Sequence, residues 1–187
     1  LVEIVQCDLD DFDVTTRALE GCCTAYYLVH SMSESGHRSA SRNRRLASTF
    51  ARSAESAGVD RIVYLGELLD PDTSLDANSS LRFEVEQALT SRSVPVTVFR
   101  TGIIIGSGSA SFEILRYLVE RQPIMTPPAW VNTESQPIAV RNVLGYLVQC
   151  LRVPETVGRV LEIGGADVVS FRDLMAVMAE ELELPTR

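Results

Sequence analysis

No window of the 187 residues holds eighteen uninterrupted apolar side chains, so no membrane-spanning helix is expected. Positive charge is also short. Lys plus Arg number 17 against 25 acids, a formal charge of −8, which argues against a general nucleic-acid binder because a phosphate backbone is met by net positive surface. The four cysteines, Cys7, Cys22, Cys23 and Cys150, form no Cys-x-x-Cys pair, and adjacent Cys22-Cys23 is a poor start for a metal site. Cys7 and Cys150 sit among apolar residues and read as small core side chains, which places the chain in a reducing compartment, the cytoplasm. The first residues, Leu1-Val2-Glu3-Ile4-Val5, carry neither a basic leader nor a small-residue cleavage pattern and so do not read as a signal peptide. They begin without Met, inside what reads as a strand, and the expectation is a chain whose beginning is missing.

What remains is an ordinary globular composition, 45% hydrophobic and 22% charged, enough for one full core and one domain. Val2–Cys7 reads as a strand ending in the acidic turn Asp8-Leu9-Asp10-Asp11. Asp13 is expected to cap a short helix through Leu19, ended by Gly21 in a left-handed conformation. Ala25–Val29 is the next strand, with His30-Ser31-Met32 at its carboxyl end. From Ala40 to Ala57 the period turns helical, and Leu46, Phe50 and Ala54 form one apolar stripe with Ala47 and Ala51 beside them. Gly58 stops it, and Arg61–Leu65 is a third strand leading to Gly66-Glu67. A polar loop, a helix over Leu81–Thr90 and Pro95 lead into Val96–Gly108, where an apolar run passes through Arg100-Thr101-Gly102 and ends at Gly106-Ser107-Gly108. Glycines so placed let the backbone approach either a ligand or another chain segment, and the sequence leaves both readings open.

Further on, Ser111–Glu120 is a helix and 122–137 a proline-rich loop holding Trp130, which is either a lid residue or a packing anchor. Pro137–Val140 is a short strand, Arg141–Leu151 a helix and Val160–Ile163 a last strand before Gly164-Gly165. Ser170-Phe171-Arg172-Asp173 fits a capping box opening a helix to about Leu182. Apolar strands alternating with helices mean an α/β fold with a doubly wound parallel sheet, in which ligands collect at the carboxyl ends of the strands. Five places are thereby selected: Asp8-Leu9, His30-Ser31-Met32, Gly66-Glu67, Arg100-Thr101-Gly102 and the region after Val140.

Taken in order, these strand ends resemble the atypical and extended short-chain dehydrogenase/reductase superfamily, and within it the nucleoside-diphosphate-sugar epimerase-like NAD(P)-binding proteins. Cys7-Asp8-Leu9-Asp10 is similar to the turn that lies against the cofactor adenine, and Tyr26–Met32 to the strand that passes under the nicotinamide ribose. Arg61–Gly66 resembles the following strand, Arg100–Gly108 the Arg-Pro-Gly…Gly-Pro-Gly segment with Thr101 for proline, and Pro137–Val143 the Pro-Ile-x-Val-x-Asp-Val junction with Asn142 for Asp. The resemblance covers nearly the whole chain. It implies a Rossmann-like domain over 1–187 with a small substrate-side portion from about 122, NAD or NADP as cofactor, and a small-molecule or nucleotide-linked substrate. The cofactor-side positions it implies are Asp8, Leu9, Leu28, Val29, His30, Leu65, Gly66, Arg82, Arg100, Thr101 and Gly102.

Two departures limit the resemblance. The family's Gly-x-x-Gly-x-x-Gly phosphate turn has no counterpart before Asp8, so a βαβ unit of ~30 residues or more is expected upstream, and this chain by itself should bind dinucleotide poorly. The family's Tyr-x-x-x-Lys pair, in which Lys lowers the phenol pKa, falls on Asn78 and Arg82. Asn cannot titrate, and Arg82 can hold a ribose or phosphate but relays no proton. Acid/base work then falls to His30, Tyr64 or Glu67, each with a bland alternative: a strand-end histidine, a core tyrosine, a solvated carboxylate. Arg38, Arg42, Arg44, Arg45 and Arg52 meet an anionic substrate or partner, or form a solvated helix face; the resemblance implies that Ala40–Ala57 and Leu81–Thr90, the helices the extended family packs into a dimer, use their residual apolar surface in a homodimer. The function expected is an NAD(P)-dependent oxidoreductase or epimerase-like enzyme. The alternatives are a non-catalytic NAD(P)-binding sensor, like the nitrogen-metabolite-repression regulators, and a stable fragment without activity of its own.

Overall fold

The computed structural model describes residues 2–29, 37–68, 77–121 and 129–183. The chain forms two compact units, one of residues 1–100 with 152–161 and one of 101–151 with 162–187.

The first unit is built around a parallel sheet. Its strands are β1 (Thr24–Tyr27), β2 (Arg61–Glu67), β3 (Val96–Thr101) and β7 (Val160–Ile163), in the order β1-β2-β3-β7. β1 and β2 run parallel with Thr24 opposite Arg61 and Tyr27 opposite Tyr64. Four successive residues open both β2 and β3 fully buried, which is why these strands read as unbroken apolar runs rather than as alternating ones. Helices α1 (Phe12–Leu19), α2 (His37–Ser56) and α3 (Ala77–Thr90) connect and cover them. The expected stripe of α2 is the buried one: Ala47, Phe50, Ala51 and Ala54 join Ala25, Tyr27, Ile62, Tyr64, Val85, Leu89 and Val98 in one core. The Tyr27 ring lies 5.0 Å from that of Phe50 and 6.2 Å from that of Tyr64, tilted against both. Gly21 and Gly58 take the left-handed conformations expected of them, at φ 77° and 73°.

Arg61 opens β2 yet is buried, and hydroxyls meet its charge. Its Nε and Nη2 donate to Thr97 Oγ1 at 2.9 and 2.6 Å, Nη2 donates to Thr156 Oγ1 at 2.7 Å, and Thr97 Oγ1 donates to the Thr156 carbonyl at 2.7 Å. One side chain thus ties β2 to β3 and to the short 3-10 turn Pro154–Thr156.

The expected first strand is a correction. Residues 2–8 are in no strand, and Val2 and Ile4 are 92% and 94% exposed. An isolated strand leaves its amides and carbonyls without partners, and among the described residues none pairs with it. The first helix also differs by two residues: Asp11, not Asp13, is its N-cap, accepting the amides of Asp13 and Val14 at 3.0 Å each.

The second unit holds two short ribbons. β4 (Ile104–Ile105) pairs parallel with β6 (Ile138–Ala139), and β5 (Glu134–Ser135) pairs antiparallel with β8 (Val169–Ser170). Helices α4 (Ala110–Arg121), α5 (Val140–Gln149) and α6 (Phe171–Glu181) complete it. The capping box read from Ser170 and Asp173 is present in full at the start of α6.

Candidate functional site

Parallel strands bring their carboxyl ends to one edge, and in the first unit that edge carries the residues singled out from the sequence. Tyr27 is fully buried; the next two residues, Leu28 and Val29, emerge at 49% and 41% exposure. On the neighbouring strand Leu65 and Gly66 are half-buried and Glu67 is exposed at the strand's end. Tyr64 is only 3% exposed and belongs to the core, with its ring edge lying along the strand 3.0 Å from where a Cβ on Gly66 would sit. Any larger residue at 66 would meet that ring, so bare backbone here is a packing requirement as well as an opening.

Arg100, at the end of β3, is already engaged. Its Nε and Nη2 donate to the two carboxylate oxygens of Glu86 on α3, at 3.1 and 2.8 Å, with the side chains 19% and 12% exposed. Nothing in the local pattern marks this partner, although Glu86 stands four residues after Arg82 on the same helix. His30 and the side chain of Arg82 lie outside the described residues.

The turn at Asp8 is closed by its own hydrogen bonds. Asp8 Oδ1 accepts the Asp10 amide at 3.0 Å, the Asp8 carbonyl accepts the Asp11 amide at 2.9 Å, and Leu9 packs against the core. Asp10 takes both prongs of the Arg45 fork at 2.8 Å each, and this hydrogen bonding holds its carboxyl below the usual carboxylate range. Asp8, Asp10, Asp11 and Asp13 therefore crowd the start of α1. Carboxylates suit a helix N-terminus, but this one is closed to a pyrophosphate by like charge.

In the second unit the glycines answer the question the sequence left open. A Cβ on Gly102 would come 2.8 Å from Ser135 Oγ, one on Gly106 would come 2.5 Å from Val140 Cγ1, and one on Gly165 would come 2.3 Å from the Pro137 carbonyl oxygen. Segments 102–106 and 164–165 thus lie close against 135–140, the latter clasped by the Gly165 amide on the Pro137 carbonyl at 3.0 Å and by Gln136 Nε2 on the Gly165 carbonyl at 2.7 Å. These glycines serve chain packing. Nothing in the sequence marks Gln136 as the partner of these glycines. Thr101 is 3% exposed, and among the described residues its Oγ1 is the buried side-chain polar atom without a partner.

Among the described residues no group of three His, Cys, Asp or Glu side chains is placed to hold a metal, and no helix is long and apolar enough to cross a membrane. All four cysteines are unpaired, with Cys150 buried as expected and Cys7 half-buried against Thr15.

No protein-family model and no curated protein sequence matches the chain. Solved structures do. The enzyme WbmG of Bordetella bronchiseptica in complex with NAD superposes with a TM-score of 0.76 at 13% identity, covering 95% of this chain and 62% of its own. MoeE5, in complex with UDP-glucuronic acid and NAD, gives 0.79 at 18% identity, covering 97% and 70%. The triphenylmethane reductase of Citrobacter sp., complexed with NADP(H), gives 0.70 at 15% identity, covering 93% and 57%. This chain therefore spans about three fifths of the first of these structures, and it shares with them a Rossmann-like parallel α/β fold.

Proposed function

We propose that this chain forms the nicotinamide and substrate side of an NAD(P)-dependent oxidoreductase or nucleoside-diphosphate-sugar epimerase-like enzyme. The observation that carries the reading is the abrupt emergence of Leu28 and Val29 from a buried strand, beside half-buried Leu65 and Gly66, on the carboxyl edge of a parallel sheet. Apolar side chains and bare backbone fit the flat face of a nicotinamide or adenine ring. The fit stops at the phosphates: the described residues offer no glycine-rich helix start, and the start of α1 is acidic. The likeness to structures holding NAD, NADP(H) and a UDP-sugar supports the choice of cofactor and of a nucleotide-linked substrate.

When bound, the cofactor gives or takes hydride. The chain must move the accompanying proton. Tyr64 is sealed in the core, whereas Glu67 is exposed at the end of β2, so of these two Glu67 is the group a substrate hydroxyl reaches, with His30 as the alternative. Arg100 acts through its ion pair, holding α3 against β3. The unpaired cysteines suit a reducing, cytoplasmic setting.

One observation favours a second reading. Asn78 and Arg82 occupy the places of the proton-transferring Tyr and its Lys, which suits a cofactor-binding sensor without turnover. Assay of the chain with NADH and NADPH over a panel of carbonyl compounds and nucleotide sugars separates the two. Turnover lost in Glu67→Gln supports the enzyme, and binding without turnover on any substrate supports the sensor. Absence of binding overturns both.

A further inference from the structure

The net-acidic chain concentrates part of its scarce positive charge in one place. A groove of about 490 Å³ runs between α2 and the α3 region, lined by Ser41, Arg44, Arg45, Ser48, Thr49, Arg52, Glu84 and Arg92. Four arginines against one glutamate give this lining a formal +3 in a chain of formal charge −8. Residues 41, 45, 48 and 52 recur at helical spacing, so arginines and hydroxyls alternate along one stripe of α2, beside its buried apolar stripe.

The arginines are not equally occupied. Arg45 is forked onto Asp10, and Arg92 lies 3.8 Å from Glu55, whose carboxyl is held low chiefly by the Ser93 hydroxyl. Arg52 instead lies over the Phe12 ring, its guanidinium carbon 4.0 Å from the ring centre, and among the described residues it has no carboxylate partner. Among the described residues Arg44 has no acidic partner either. Among the described residues the open groove thus keeps two arginines, Arg44 and Arg52, without acidic partners. The volume lies at the small end of ligand sites, and among the described residues no aromatic ring lines the groove to stack on a base.

We infer that the α2–α3 groove is an anion site for a small phosphorylated compound, with Arg44 and Arg52 as the unpaired cations and Ser48 and Thr49 as hydroxyl donors. It lies on the helices rather than at the strand ends, so it stands or falls separately from the cofactor reading. Guanidinium forks match phosphate oxygens in pairs, and hydroxyls suit the ester oxygen or a sugar.

The test is calorimetric titration of the chain with inorganic phosphate, inorganic pyrophosphate and glucose 1-phosphate at low and moderate salt. Binding of at least one of the three is expected, weakened about tenfold or more in Arg44→Glu, a charge reversal at an exposed side chain. Arg44→Ala/Arg52→Ala should bind less tightly than either single variant. Arg116→Ala, whose arginine is paired with Glu113 and Glu120 on α4, should leave the affinity unchanged. Preference for glucose 1-phosphate over both inorganic ions would identify a sugar phosphate; preference for pyrophosphate would identify a free polyphosphate. Equal affinity in wild type and Arg44→Glu overturns the site, as does the absence of binding by all three probes at about 5 mM, or tighter binding of poly-glutamate than of any phosphate.

Discussion

Glu86 on α3 grips Arg100 at the end of β3 through both carboxylate oxygens, at 2.8 and 3.1 Å, in a setting from which most water is excluded. The pair fixes the helix that carries Asn78 and Arg82 against the strand that leads into Thr101-Gly102. Removing one partner of such a pair leaves the other charge half-buried and unmatched. Glu86→Ala should therefore cost about 2 kcal/mol in urea unfolding, and Arg100→Met in the Glu86→Ala background should return part of it. A loss indistinguishable from zero would mean that solvent screens the pair.

A second expectation concerns the clasp at Gly165. A Cβ there would stand 2.3 Å from the Pro137 carbonyl oxygen, a backbone atom that cannot swing aside. Gly165→Ala should destabilise the chain by roughly 1–3 kcal/mol through overpacking. Gly145, with nothing near its missing Cβ, is the control: Gly145→Ala in α5 should be neutral or stabilising. Equal effects at the two positions would refute the close approach.

Thr101 gives a prediction of the opposite sign. Its buried hydroxyl lacks a partner, so Thr101→Val should raise stability by about 1 kcal/mol by removing an unsatisfied polar atom at nearly constant shape. A loss of stability would show that the hydroxyl is satisfied in solution.

The start of α6 carries a pH dependence. The Ser170 hydroxyl, and then its backbone amide, hold the Asp173 carboxyl below its ordinary value. A carboxyl lowered in the folded state contributes stability that is complete above its unfolded pKa, about 4, and lost as pH falls through the lower folded value. Ser170→Ala should cost about 1 kcal/mol near neutrality. The gap between wild type and variant should narrow only below about pH 4. A gap that closes between pH 7 and 5 would assign the effect to another group.

Much of the fold was legible because its signals are local. The α2 stripe, the left-handed Gly21 and Gly58, the capping box at Ser170 and the buried runs of β2 and β3 each follow from a few adjacent residues. What was missed depends on distant partners. Val2–Cys7 has strand composition but, among the described residues, no strand to pair with, and the Arg61–Thr97–Thr156 bridge joins residues far apart in sequence. At the candidate site, position was legible and chemistry less so. Strand ends near Leu28, Gly66 and Arg100 followed from the pattern, as did a core place for Tyr64 in so apolar a strand, but the grip of Glu86 on Arg100 did not. The glycines of 102–106 carried two meanings in sequence, and only the neighbouring segments of the chain chose between them.

The proposed cofactor face lies at the carboxyl edge of the sheet, with no phosphate cradle among the described residues. Backbone amide shifts of the labelled chain, followed while NADH is added, test this most directly. The account predicts shifts at Leu28, Val29, Leu65 and Gly66 that saturate only weakly, with a dissociation constant on the order of 1 mM. Silence at those four amides up to about 10 mM NADH, while residues elsewhere respond, would contradict it.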